Sequence, residues 1–103
     1  MNILFLMGDH HRADAMSWTG NPHLQTPRLD KLAESSVRFH ACFNQSPVCS
    51  PARHSLHTGQ YAHRHGVTGN GTPPRGPLTT MAHAFKPRGY RCFHTGHMHW
   101  AKG

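Results

Sequence analysis

Five consecutive apolar residues, Ile3-Leu4-Phe5-Leu6-Met7, constrain the fold of this chain more than any other stretch. The run is too short to span a bilayer or to form the core of a secretion signal, and no basic segment precedes it. It reads as a first strand buried on both faces. Val37, Phe39, Ala41 and Phe43 alternate as a second strand with one apolar face. Between the two, Thr26 can cap a helix that takes Pro27 in its first turn, where a missing N–H is harmless. Leu29, Leu32 and Ala33 share one face of that helix. Further helices are expected over about 52–58, ended by Gly59, and over 77–86, stopping around Pro87 and Gly89. A strand over 90–95 follows. Gly71, Pro73, Pro74 and Gly76 mark residues 69–77 as a loop. Strands alternating with helices argue for an α/β sandwich with a largely parallel sheet, whose functional residues sit near the carboxyl ends of strands.

The composition sets limits on that sandwich. Apolar residues make up 36% of 103 residues and the mean hydropathy is −0.63, thin for a sheet buried on both faces. The length allows one domain or part of one. Eleven Lys and Arg against four acids give a net charge of +7. A nucleic-acid binder can have such a balance, but here the basic residues are scattered and no aromatic platform accompanies them. The histidine pairs His10 and His11, His63 and His65, and His97 and His99 invite a metal-binding reading. They lack the spacing of a structural zinc site, and most of these side chains are expected at the surface or behind a site. Cys42, Cys49 and Cys92 form an odd set with no disulfide pattern. Cys42 and Cys92 are expected as small buried thiols in strands. No membrane partner is expected, and the default location is cytoplasmic.

Cys49-Ser50-Pro51-Ala52-Arg53, continuing to Gly59, carries the chemistry. Pro51 favours a turn that presents Cys49 outward. Arg53 brings a permanent charge and a fork of donors suited to oxyanions. The stretch resembles the C-x-P-x-R signature of the type I sulfatases. Other segments resemble the family in the same order: Asn2 to Asp9 as strand and metal-binding aspartate, Thr26-Pro27-Arg28-Leu29-Asp30-Lys31-Leu32-Ala33 as a helix, and Val37-Arg38-Phe39 with Gln45-Ser46-Pro47-Val48 as the approach. Gly59-Gln60-Tyr61-Ala62-His63-Arg64-His65-Gly66-Val67 is similar to the segment after the signature, and Gly96-His97-Met98-His99 to the second signature.

The resemblance implies an alkaline-phosphatase-like fold, of which residues 1–103 would be the amino-terminal part of the catalytic domain. It implies that Cys49 is oxidised to formylglycine by a formylglycine-generating enzyme, and that the hydrated aldehyde attacks the sulfur of an anionic sulfate ester. Arg53 would stabilise the diol and the developing charge. Asp9 and the modified Cys49 would bind calcium, with His10, at a position where relatives carry glutamine, as a further metal ligand. His97 and His99 would face the sulfate, and His99 would join the catalytic set. His97 replaces the family's lysine, and a neutral imidazole contributes less to anion binding than an ammonium. Phosphonate monoester and phosphodiester hydrolases share the chemistry and are the alternative; an inactive truncated relic is another. A hard dication takes six or more oxygens, so Asp9 and a diol make half a site, and the chain is read as a fragment.

Overall fold

The structure is a computed structural model that describes residues 1–100. The chain divides into two compact units, one over Met1–Ala41 and one from Cys42 onward. Among the described residues the regular elements are four α-helices and two 3-10 turns.

In the first unit, a 3-10 turn at Ser17–Thr19 packs on helix α1 (Pro27–Glu34). Pro27 opens α1 as the sequence predicts, but Thr26 does not cap it through its side chain. Its hydroxyl accepts from the Ser17 N–H at 3.0 Å and donates to Asp30 Oδ1 at 3.0 Å instead. Asp30 also accepts from the Ser17 hydroxyl at 2.6 Å and the Trp18 N–H. The Ser17 hydroxyl above all, against desolvation and helped by Thr26 and Trp18, holds the Asp30 carboxyl below its ordinary range. A carboxylate that collects several donors thus fastens turn to helix. Of the predicted apolar face of α1, Ala33 is buried while Leu29 and Leu32 are exposed.

The second unit holds α2 (Cys49–Thr58), α3 (Ala62–His65), α4 (Met81–Phe85) and a 3-10 turn at Lys86–Arg88. Helix α2 is the centre on which α3 and α4 pack. Gly59 ends it in the left-handed region, with φ 68° and its N–H on the Ser55 carbonyl at 2.8 Å, as the sequence predicts. Helix α4 is shorter than the predicted 77–86. Thr80 is extended and its N–H donates to His83 Nδ1 at 3.1 Å, which fixes the helix start at Met81. The buried interior of this unit is polar: Ser50, Arg53, His54, Ser55 and His65 lie inside with Pro51, Ala52 and Val67.

The predicted strands at 3–7, 37–43 and 90–95 are absent among the described residues. Leu4, Phe39 and Phe43 are 81%, 76% and 84% exposed. The reason is that a strand exists only through its neighbour: backbone pairing and a covered face are supplied by another element, and alternation says only which side wants covering. Cys42 and Cys92 are correspondingly exposed rather than buried. No helix among the described residues is long and apolar enough to cross a membrane.

Candidate functional site

Helix α2 positions the central residues. Val48 stands at its N-cap in an extended conformation without a capping side chain, and Cys49 is the first helical residue, half-buried. The first turn of a helix leaves several N–H donors without intrahelical partners. The Val48 N–H goes to the Ser46 hydroxyl at 3.2 Å and the Ser50 N–H to Asn70 Oδ1 at 3.0 Å. Pro51 has no donor to place, so the first turn accommodates it buried, and the helix begins at a half-buried Cys49 rather than after an outward turn at about residue 52.

One turn beyond Cys49, Arg53 is buried and its Nη1 donates to the His97 carbonyl at 2.7 Å. The guanidinium therefore grips the backbone of the 96–100 segment, which the sequence reading did not anticipate. Gly96 and His99 both adopt positive φ, 94° and 50°. A non-glycine residue in that region costs of the order of 1 kcal/mol and is a feature of constrained sites. The His97 and His99 rings lie 4.8 Å apart, His97 exposed and His99 half-buried.

Beside Arg53, His54 is fully buried. Its Nδ1 lies 2.8 Å from the Ser50 carbonyl, which can only accept, so the ring proton is on Nδ1. His54 Nε2 is buried and has no hydrogen-bond partner among the described residues. The ring stacks on Trp100 at 3.9 Å, and His57 meets the same indole edge-on at 5.7 Å. His57 is pushed below its ordinary value by burial, then by His94, Arg53 and His54. The Arg53 guanidinium beside a half-buried imidazole disfavours a further positive charge on this flank of α2.

His65 closes the unit from the other side. The Val67 N–H donates to its Nδ1 at 3.1 Å, so Nε2 carries the proton and donates to the Ser55 hydroxyl at 3.0 Å. Burial first, then His54 and His63, pushes its pKa down. Of the paired histidines, His10, His11, His63 and His97 are exposed as expected, while His65 is buried. The polar interior of α2 needs partners that can both donate and accept, and imidazole supplies both. Nothing in the sequence singles out His54, Ser55, Asn70 or Trp100, and His65 stands out only through its pairing with His63. Ser50 and Ser55, about a turn and a half apart on α2, are the local hint.

Cys49, Arg53, His97 and His99 belong to the second unit, and Asp9 and His10 to the first. Asp9 and His10 are exposed, with His10 Nε2 3.8 Å from Asp9 Oδ2 and His10 at φ 52°. Asp14 is paired with Arg12 at 2.5 Å, and Asp30 is committed to Ser17 and Thr26. A calcium ion wants six to eight oxygens. With the other aspartates committed elsewhere, these residues fit at most one carboxylate of such a set.

A family model described as Sulfatase matches residues 1–102. An uncharacterized sulfatase, YidJ, of Escherichia coli K12 is 36% identical over 98 residues, covering 95% of this chain and 20% of the relative. The N-acetylglucosamine-6-O-sulfatase of Bacteroides thetaiotaomicron is 33% identical over 95% of this chain and 18% of its own length. The choline-sulfatase of Rhizobium meliloti is 34% identical over 96% of this chain and 19% of its own length. The chain thus spans about a fifth of the length of these relatives. No solved structure gives a significant match.

Proposed function

The chain belongs to the sulfatase family, and on that premise we propose that it carries the nucleophile segment of a sulfuric ester hydrolase with an alkaline-phosphatase-like fold. Residues 1–103 are its amino-terminal catalytic portion. The observation that carries the reading is the arrangement on α2: Cys49 opens the helix, Pro51 occupies its first turn, and Arg53 is buried one turn on with its fork on the 96–100 segment. Formylglycine made from Cys49 would supply a geminal diol, whose one hydroxyl would attack sulfur and displace the ester's alcohol, and whose other would lose its proton to re-form the aldehyde and release sulfate.

The chain's own residues do the rest. Arg53 contributes fixed positive charge where oxyanion charge develops, and its bond to the His97 carbonyl keeps the guanidinium from rotating away. His97 and His99, whose rings lie 4.8 Å apart, would offer hydrogen-bond donors to the sulfate. Burial and Arg53 disfavour a charge on His57, so the fixed positive field that favours a sulfate over a neutral ester comes from the guanidinium rather than from His57. Asp9 offers one carboxylate to calcium, with His10 beside it, and the remaining ligands come from outside the described residues. The formylglycine-generating enzyme is the maturation partner.

Turnover of an aryl sulfate by a completed protein that contains this chain, matured with that enzyme, tests the reading. Sulfate release that disappears in Cys49→Ala supports it; release that persists in Cys49→Ala removes Cys49 from the mechanism. A matched phosphonate monoester run alongside tests the alternative suggested by His97 in place of lysine. A clear preference for the phosphonate would replace the sulfatase reading with that one.

A further inference from the structure

We propose that the segment from His65 to Arg75 is a two-point clamp that sets the position of the first turn of α2, with Asn70 and His65 as its positioning residues. This rests on reading Cys49 as the precursor of the nucleophile. Three observations support it. Asn70 reaches across twenty residues of sequence to accept the Ser50 N–H at 3.0 Å, next to Cys49 and in a helix whose own N-cap side chain cannot do so. His65 donates to Ser55 at 3.0 Å, fixing α2 a turn and a half further along. Both contacts therefore fall on one helix from one segment.

That segment is itself closed. The Arg75 N–H donates to the His65 carbonyl at 3.0 Å, and the Thr72 N–H to the Gly69 carbonyl at 3.2 Å. Gly66, at φ 82°, lets the Arg75 side chain lie over it, where a Cβ would stand 2.3 Å from Arg75 Cγ. The His65 ring is fixed in turn because its Nδ1 receives the Val67 N–H. The two anchors are thus tied to each other before either touches α2. A nucleophile at the first residue of a helix is exposed to fraying, and a misplacement of about 1 Å costs on the order of a hundredfold in rate. Capping from a closed loop is the remedy available when the N-cap residue is Val48.

Asn70→Ala in the full chain is the test, read in two ways that need no turnover. The Ser50 amide should exchange roughly three- to thirtyfold faster with solvent, the equivalent of losing a cap. Alkylation of half-buried Cys49 by iodoacetamide should accelerate several-fold, while exposed Cys42 and Cys92, read as references in the same molecules, stay unchanged. Asn70→Asp, which can accept the same hydrogen bond, should restore both readings. Unchanged Ser50 exchange and Cys49 alkylation in Asn70→Ala would overturn the clamp. Acceleration at all three cysteines together would also overturn it, by showing general loosening. In matured protein, Asn70→Ala should lower kcat more than it raises KM. Absence of turnover in completed, matured wild-type protein, with the missing part of the site supplied, would sink the sulfatase reading and leave the exchange and alkylation results to decide the clamp.

Discussion

Gly66→Ala tests the geometry around α2 quantitatively, because Gly59 provides its control in the same unit. Both glycines have left-handed backbones, φ 82° and 68°. An alanine there costs about 1–2 kcal/mol in backbone strain, offset in part by about 0.4–1 kcal/mol from a stiffer unfolded chain. At Gly59 nothing lies within 4 Å of the added methyl, so the net loss should stay near 1 kcal/mol. At Gly66 the same methyl would meet Arg75 Cγ at 2.3 Å, Cδ at 3.0 Å and Nε at 3.1 Å. Arg75 must swing away while its N–H remains on the His65 carbonyl, adding about 1–3 kcal/mol of the overpacking kind. Urea unfolding followed by helical circular dichroism would read both losses. Placed in an Arg75→Ala background, Gly66→Ala should fall to the cost of Gly59→Ala, since all three crowding atoms are gone. Equal losses at the two glycines, or a Gly66 loss indifferent to Arg75, would refute the packing described for this loop.

The other predictions concern charge and chemistry. His57 and His65 have pKa values below the unfolded value of about 6.5, so the unfolded chain takes up protons first as pH falls. Stability from both is complete above that value and is lost as pH drops through and below it; unfolding midpoints that do not decline between neutral pH and about 5 would contradict this. Asp30, also lowered, extends the decline to still more acid conditions. Added sulfate should raise the His57 titration midpoint followed by NMR, because a nearby anion favours the imidazolium, and an unmoved midpoint would place the anion elsewhere. Ser55→Ala should cost about 1–3 kcal/mol, measured by urea unfolding, because it strands the buried His65 Nε2–H. A loss below about 0.5 kcal/mol, the low end for a net hydrogen bond, would mean His65 does not depend on Ser55.

Local signals in the sequence were read well where the determinant was local. Pro27 and Gly59 mark helix boundaries because a missing donor and a left-handed residue act within one turn. The C-x-P-x-R stretch falls on one helix from Cys49, whereas its proline suggests a turn with the helix beginning only at about residue 52. What failed depended on partners far along the chain. The apolar periods at 3–7 and 37–43 specify faces to be covered, and the described residues supply no neighbouring strand. Thr26 has the composition of a cap, yet Ser17 and Asp30 outcompete the helix for its hydroxyl. His65 looks like one more member of a set of paired surface histidines, and His54 carries no sequence signal at all, until the polar interior of α2 calls for groups that donate and accept at once. Asn70 sits in a stretch whose glycines and prolines announce only a loop, and its role exists solely through Ser50. Of the candidate site, the sequence identifies Cys49 and Arg53, while Arg53's hold on the His97 carbonyl becomes visible only in three dimensions.

The most direct test of the central claim is a peptide-level mass spectrum across residue 49, from protein produced together with a formylglycine-generating enzyme. The account predicts an aldehyde in place of the Cys49 thiol, reducible with borohydride, with Cys42 and Cys92 left as thiols. An unmodified thiol at Cys49 in protein that still hydrolyses sulfate esters would contradict it.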